Sequence, residues 1–277
     1  MTDTANPYVA HLLRVAQQTP SDDDYIGEGG LIYCGRCRTP RQYVMQKDNL
    51  LHGLTLPISC QCREAARAAR DREQFDRRVD ELRRRCFPSP AMTEWTFSRD
   101  NGRCGQMQIA QRYVAKWPEI TAKNYGLFLW GDVGTGKSYL AGCIANAILA
   151  RGIAVKMTSF PDLLAELSAD LDGRASRIRE LAEYPLLILD DFGVERSTDF
   201  AQELIFAVVD ARSRARKPLI VTSNLTPEQL KQPTGTMQAR IFDRIRAMCL
   251  PLHIRGENQR ERERDEKYAA FAGDVMG

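Results

Sequence analysis

One glycine-rich segment constrains the fold of this chain more than any other feature. Residues 131–138 fit the pattern G-x-x-x-x-G-K-[ST], between an apolar strand predicted at 126–130 and a helix predicted from residue 137. Glycines let the backbone wrap around a phosphate without a Cβ clash, so that N–H groups and the helix N-terminus face the anion. The residues predicted to line the phosphates are Gly131, Asp132, Val133, Gly134, Thr135, Gly136, Lys137 and Ser138.

A magnesium ion at this loop needs an acidic residue as a second protein partner, besides the hydroxyl of the loop. We expect Lys137 to reach the β- and γ-phosphates and the Ser138 hydroxyl to ligate Mg²⁺. A buried strand predicted at 186–190 ends in Asp190 and Asp191, at the edge where open α/β sheets bind ligands. Asp190 is predicted to hold Mg²⁺ through water, and Asp191 to act as the general base on the attacking water. The alternative is that both acids only cap a strand.

A third polar strand end follows in the same order. The apolar residues 219–223 lead to Asn224. Asn after a strand is usually a turn residue. In this arrangement we expect its amide to orient the same water between Asp191 and the γ-phosphate.

The pattern beyond residue 90 alternates apolar strands with helices, which is typical of a parallel sheet covered by helices on both faces, an α/β fold. The strands are predicted at 126–130, 154–158, 186–190 and 219–223, and the helices at 137–151, 160–170 and 199–214. The C-terminal residues 237–272 are predicted to be mainly helical, apart from a short apolar segment at 248–254.

The N-terminal part has a different composition. A short amphipathic helix is predicted at 9–16 and a long charged helix at 63–86, which Pro88 and Pro90 close. We therefore predict a domain boundary near residue 90, with an N-terminal region at 1–90 and a second domain at 91–277 that carries the phosphate loop.

Cysteines cluster ahead of the long helix. Cys34 and Cys37 are followed by Cys60 and Cys62, two close pairs that suit a structural, tetrahedral Zn²⁺ site. Because little apolar material lies around them, the metal would supply most of the folding free energy there. Four unrelated buried cysteines are the alternative. The cysteines without partner spacing are predicted to be small buried hydrophobes: Cys86, Cys104, Cys143 and Cys249.

Charge and hydropathy exclude some classes of function. With 39 Lys+Arg against 36 Asp+Glu, the net charge of +3 is too small to prove a nucleic-acid partner. No apolar run approaches the roughly 18 residues of a membrane span, so we expect no membrane role. The polar N-terminus predicts a cytoplasmic protein, in which thiols stay reduced.

The ordered set of phosphate loop, Asp-Asp strand end, Thr-Ser-Asn strand end and the segment Arg-Ile-Phe-Asp-Arg-Ile-Arg at 240–246 resembles the AAA+ ATPases. More narrowly it resembles bacterial and phage helicase loaders of the DnaC/DnaI type and their relative IstB, over about residues 87–268. The resemblance implies that Arg244 acts in trans as an arginine finger and that Arg260 senses the nucleotide in cis. The residues alone leave a solvated helix face open for Arg244, and competing registers at Arg262 and Arg264 for Arg260.

This resemblance also implies a function. The chain would load a hexameric replicative DNA helicase, bind ATP, Mg²⁺ and single-stranded DNA, and assemble with copies of itself through bridging ATP. Hydrolysis would be stimulated by DNA. It would be slow, because Asp191 stands where many AAA+ proteins have Glu. The N-terminal region would grip the helicase, and the long helix would dock on it, contact DNA or space the domains. The alternatives are an IstB-like ATPase that assists a transposase on DNA, and a nucleotide-gated scaffold with negligible catalysis.

Overall fold

The computed structural model describes residues 21, 23–46, 53–100, 102, 105–193 and 198–275. The helix predicted at 9–16 lies outside the described residues, as do Cys104 and the histidines at 11 and 52. The chain divides into two compact units, Met1–Asp76 and Arg77–Gly277. We call them the cysteine unit and the sheet unit.

The cysteine unit contains two short antiparallel strand pairs in its described part. Strand β1 (Asp24–Ile26) pairs with β2 (Ile32–Cys34) across a turn that includes the 3₁₀ segment Glu28–Gly30. Strand β3 (Gln42–Val44) pairs with β4 (Thr55–Pro57). Strands of three residues cannot enclose an apolar core by themselves, so the unit needs another source of stability.

Helix α1 (Gln61–Cys86) crosses the division between the two units. It corresponds to the long charged helix predicted at 63–86, and it ends just before Pro88, as expected for a residue that disfavours a preceding helix. Val79 and Cys86, near its C-terminal end, are buried. The predicted boundary near residue 90 lies shortly after this end.

The sheet unit is built on one five-stranded parallel sheet with the order β6-β7-β8-β5-β9. Its strands are β5 (Gly126–Trp130), β6 (Val155–Ser159), β7 (Leu186–Phe192), β8 (Leu219–Ser223) and β9 (Cys249–His253). Side chains alternate between the faces, so that Leu127 and Leu129 enter one hydrophobic core and Phe128 enters the other.

Helices cover both faces of this sheet. They are α2 (Met107–Ala115), α3 (Trp117–Lys123), α4 (Lys137–Leu149), α5 (Phe160–Ala169), α6 (Arg174–Glu183), α7 (Asp199–Ala215), α8 (Thr236–Met248) and α9 (Gln259–Val275). Helices α2, α3 and α4 supply one core, and α5 to α8 supply the other. The predicted fold class, a parallel sheet covered by helices, is confirmed.

Some elements differ from the sequence prediction. The apolar segment at 248–254 forms the edge strand β9, which pairs with β5. Helices α2, α3 and α6 were not predicted; in α6 only Leu181 and Ala182 are buried, so its apolar periodicity is weak. Among the described residues, no helix combines the length and apolar character that crossing a membrane requires.

Candidate functional site

The phosphate loop connects β5 to α4, at the carboxyl edge of the sheet. Strand β5 is an interior strand, between β8 and the edge strand β9, and ligands bind at the carboxyl ends of the strands in open α/β sheets. Gly131, Gly134 and Gly136 have φ values of 151°, 79° and 93°, which favour glycine. The loop therefore has the left-handed backbone turns that a cradle of N–H groups requires.

Lys137 is the buried cation of this loop. Its Nζ donates hydrogen bonds to the carbonyl oxygens of Gly131 at 3.0 Å and Asp132 at 2.7 Å. Burial lowers the pKa of Lys137 from its ordinary value, while the nearby carboxylates of Asp191, Asp190 and Asp132 act in the opposite direction. A partly desolvated ammonium group interacts strongly with an anion, which suits it to phosphate oxygens.

Ser138 and Asp190 meet at the loop, as the sequence predicted. The Ser138 hydroxyl donates to Asp190 Oδ1 at 2.8 Å, and Thr222 Oγ1 donates to the same oxygen. Asp190 is 7% exposed; burial raises its pKa, whereas the hydrogen bonds from Thr222 and Ser138 lower it. The two predicted magnesium ligands are thus adjacent, and a carboxylate next to a hydroxyl is an oxygen donor set that suits Mg²⁺.

Asp191 and Asn224 lie at the ends of neighbouring strands. Asp191 has φ 59° at a register shift between β7 and β8, and its N–H donates to Thr222 Oγ1 at 2.9 Å. Its side chain is exposed, unlike that of Asp190, and Asn224 is exposed as well. Both polar groups are therefore open to water at the edge where Lys137 and Asp190 lie.

The segment before α9 contacts the phosphate loop. The Gln259 N–H donates to the Gly134 carbonyl oxygen at 3.0 Å, and a Cβ on Gly134 would lie 1.8 Å from Asn258 Oδ1. Arg260 directly follows Gln259, and its N–H donates to Asn258 Oδ1 at 3.2 Å. The backbone of Arg260 therefore lies beside the loop.

Arg244 lies on α8 and pairs with Asp210 on α7, with 3.1 Å between Nε and Oδ1. Its side chain is 43% exposed. Within the chain, this arginine lies near carboxylates of helices α7 and α8 and remains partly exposed to solvent.

Two features near the loop were missed in the sequence. Thr222 bridges Asp190 and the Asp191 N–H, and its signal was its place at the end of an apolar strand. Trp130, directly before the loop, stacks on His253 with 3.8 Å between ring centroids and 4° between planes. No local pattern links these two residues, because they lie on different strands.

The four predicted metal-binding cysteines come together in the cysteine unit. The Sγ atoms of Cys34, Cys37, Cys60 and Cys62 all lie within 4.8 Å of one another. Cys62 Sγ is 3.6 Å from that of Cys34 and 3.4 Å from that of Cys60. Tetrahedral zinc with bonds of about 2.3 Å places its sulfurs about 3.8 Å apart, so the cluster fits such an ion.

Local hydrogen bonds prepare this cluster for a cation. The Thr39 side chain is the main cause that lowers the pKa of Cys37 to about 5, whereas the neighbouring Cys60 thiol is the main cause that raises the pKa of Cys62 to about 12. Gly35 is required between the first pair, because a Cβ there would lie 1.9 Å from the Asp23 carbonyl oxygen. A cation that displaces the protons would relieve the competition among the thiols.

The cysteines outside this cluster follow the prediction as far as the structure describes them. Cys86, Cys143 and Cys249 are each buried, and none of the described cysteines forms a disulfide. Burial raises the pKa of Cys86 to about 12, so its thiol stays protonated. These three behave as small apolar side chains.

Relatives of known name match part of the chain. The replicative helicase loader DnaI of Bacillus subtilis (strain 168) is 28% identical over 173 residues, which are 58% of this chain and 55% of that protein. The uncharacterized protein YdaV of Escherichia coli (strain K12) is 35% identical over 118 residues, 42% of this chain and 46% of that protein. The replicative helicase loader DnaC of Escherichia coli (strain K12) is 27% identical over 188 residues, 65% of this chain and 74% of that protein. The chain thus spans about half the length of the first two relatives.

Solved structures and a family profile agree with these matches. A crystal structure of DnaI has a TM-score of 0.53 and 28% identity, covering 62% of this chain and 94% of that chain. The replication initiator DnaA bound to AMPPCP and single-stranded DNA, at 20% identity and TM-score 0.50, shares the fold over 62% of this chain and 52% of its own. The profile described as IstB-like ATP binding protein matches residues 64–267. The chain therefore belongs to the IstB-like ATP binding protein family, and the resemblance to AAA+ proteins of the DnaC/DnaI type is confirmed.

Proposed function

We propose that this protein is an ATP-dependent loader of the replicative DNA helicase, which binds ATP with Mg²⁺ and single-stranded DNA during DNA replication. The observation that carries the proposal is the convergence of Lys137, Ser138 and Asp190 at the loop that follows β5. The relatives named as replicative helicase loaders support the loading role.

The ground-state contacts follow from the loop. The N–H groups of residues 131–138 and the ammonium of Lys137 hold the phosphates. Ser138 and, through water, Asp190 would hold Mg²⁺, and the ion would neutralise phosphate charge. Arg260, at the N-terminal end of α9 and beside the loop, contacts the same nucleotide through its guanidinium.

Hydrolysis requires a base and an oriented water. Asp191 takes the proton of the attacking water, and the Asn224 amide orients that water toward the γ-phosphate. The exposure of both side chains supports these roles, because the water must enter from solvent. We expect turnover to be slow without DNA, since the Asp191 side chain is one methylene shorter than glutamate.

Assembly completes the site. ATP held by one subunit faces Arg244 of the next, whose guanidinium stabilises the charge that develops on the γ-phosphate. The half-exposed position of Arg244 on α8 supports contact with a second copy. ATP would thereby bridge subunits of a self-assembled oligomer.

The N-terminal region supplies the grip on the hexameric helicase. Zn²⁺ bound by Cys34, Cys37, Cys60 and Cys62 would hold the short strands together. None of the described cysteines forms a disulfide, which is in keeping with the cytoplasm as its location. Acids alternate with arginines along α1, which favours docking or spacing over contact with DNA phosphates.

Two substitutions test the nucleotide role. Lys137→Ala should abolish binding of a fluorescent ATP analogue, because the loop loses its cation. Arg244→Ala should leave that binding intact and remove the hydrolysis stimulated by a thymidine oligonucleotide. Arg246→Ala, an exposed arginine on the same helix, is the matched control and should retain both. Equal loss of binding in the first two variants would contradict the trans role.

The choice of partner is tested with the full chain. In the presence of ATP, the protein should co-elute with a hexameric replicative helicase from the same cell and transfer it to single-stranded DNA. Lys137→Ala should block the transfer. Binding to a transposase on duplex DNA in place of the helicase would refute helicase loading and establish the alternative function.

A further inference from the structure

The guanidinium of Arg244 is held by a carboxylate on the neighbouring helix. Asp210 Oδ1 lies 3.1 Å from Arg244 Nε, and Asp210 Oδ2 lies 3.2 Å from Arg214 Nε. The Asp210 side chain is only 19% exposed, against 43% for Arg244 and 75% for Arg214. A carboxylate that is mostly shielded from water interacts with a cation more strongly than an exposed one does.

The geometry of this pair leaves most of the arginine available. A guanidinium has five N–H donors, and Asp210 takes the single one on Nε. Arg244 Nη1 is 3.7 Å from Asp243 Oδ2, beyond hydrogen-bond distance. The guanidinium group is planar and rigid. A hydrogen bond at Nε therefore sets the direction of the two terminal nitrogens and leaves their own N–H groups available.

The two helices that carry this pair are firmly anchored. On α7, the neighbours Val208 and Val209 are buried, and on α8 so are Phe242 and Ile245. These residues belong to one hydrophobic core. Asp210 is therefore a fixed point, whereas an unpaired arginine side chain would sample many rotamers.

We propose that Asp210 is a positioning residue for Arg244. It holds the guanidinium of one subunit in the orientation in which its terminal nitrogens meet the γ-phosphate held by the neighbouring subunit. Asp210 itself touches no phosphate, since two anions would repel each other. The inference rests on the trans role of Arg244 under the proposed function.

Steady-state ATP hydrolysis by the full chain, with Mg²⁺ and a thymidine oligonucleotide, tests this role. Asp210→Asn should lower kcat about tenfold to hundredfold, because a misdirected group loses most of its effect on the reaction. KM for ATP should change by less than about twofold. Asp210→Glu should recover part of the rate. Arg214→Ala, which removes the exposed partner of Asp210, is the matched control and should hydrolyse ATP like the parent protein.

Subunit mixing separates positioning from general damage. Lys137→Ala subunits cannot bind ATP but have an intact Arg244. They should therefore restore hydrolysis when they are mixed with Arg244→Ala subunits. They should restore Asp210→Asn subunits in the same way. Mixing Asp210→Asn with Arg244→Ala should restore nothing, and Asp210→Asn should add no further loss within an Arg244→Ala chain.

The outcomes distinguish the two proposals. If Arg244→Ala loses hydrolysis but Asp210→Asn keeps the parental kcat, the positioning role is refuted and the proposed function stands. A further loss from Asp210→Asn within the Arg244→Ala chain refutes the positioning role equally. So does a result in which Lys137→Ala subunits restore hydrolysis to Arg244→Ala subunits but not to Asp210→Asn subunits. If Arg244→Ala itself keeps full hydrolysis, the trans role fails and the positioning role with it.

Discussion

The cysteine unit and the sheet unit are stabilised by different physical means. In strand β7, Leu186, Leu187, Ile188 and Leu189 are each fully buried, and the sheet unit has an apolar core on both faces of its sheet. In the described part of the cysteine unit, the buried apolar residues are Ile32, Cys34 and Cys60, two of them in the thiol cluster. Removing hydrocarbon from water stabilises the sheet, whereas in a segment with so little apolar surface the bonds to the proposed Zn²⁺ would supply the folding free energy.

The largest effect should come from metal removal. Chelating Zn²⁺ should unfold the cysteine unit, since such an ion contributes on the order of 10 kcal/mol to small domains of this type. Amide hydrogen exchange should become fast over the described residues between 24 and 62. All three tryptophans, Trp95, Trp117 and Trp130, lie in the sheet unit, so their fluorescence should not change. If amide protection in the cysteine unit and the native tryptophan fluorescence of the sheet unit were lost together, the two units would not be stabilised separately.

The converse change removes apolar surface from the sheet. Leu189→Ala creates a cavity at a fully buried position and should cost about 2–5 kcal/mol of unfolding free energy. Urea denaturation followed by tryptophan fluorescence measures the loss. The zinc content of the folded protein should stay at the parental value, and a chain that lost its metal would contradict the separation of the two units.

An intermediate effect is expected at a polar group within the apolar sheet unit. Arg212 has no exposed surface, and its guanidinium donates to four backbone carbonyl oxygens. They belong to Ala182, Tyr184, Pro185 and Pro218. Arg212→Met should cost about 3 kcal/mol, because buried carbonyls are left without donors.

Thermal unfolding measures the cost of Arg212→Met, with Arg214→Ala as a surface control on the same helix. A stable Arg212→Met variant would show that apolar volume alone holds this part of the sheet unit. The comparison between the units would then become sharper.

The smallest effect concerns a helix terminus. Ser159 Oγ accepts a hydrogen bond from the Asp162 N–H at 3.1 Å and caps α5. Ser159→Ala should cost about 1 kcal/mol and lower the Tm of the sheet unit alone. Ser159→Thr should keep the cap and most of the stability. A change in zinc affinity in the alanine variant would be unexpected.

Short spacings in the sequence predicted the parts of the site that local chemistry determines. The phosphate loop, the acid pair near the end of β7 and the cysteine pairs each lie within eight residues, and their backbone geometry follows from glycines and strand ends. Ser138 and Asp190, 52 positions apart, were predicted to serve the same magnesium site because parallel strands end at one edge of a sheet, and in the structure they share a hydrogen bond.

Other features depend on contacts that no local pattern reports. No sequence motif includes His253, yet it stacks on Trp130 because β9 pairs with β5 in parallel register. Asp210 and Arg212 occupy a helix that alternates charged and apolar residues, and only packing against α8 and the sheet distinguishes them from surface groups. Helix α6 is mostly polar, so periodicity did not reveal it.

The close approach of Asn258 to Gly134 has a consequence for dissecting the chain. A shortened version that stopped after β9 would retain every motif residue from 131 to 244 but lose one wall of the nucleotide cradle. Engineers who trim the C-terminal helix as a surplus tail would thereby alter the loop itself. Because residues 134 and 258 are in close contact, substitutions at the two positions should be designed together.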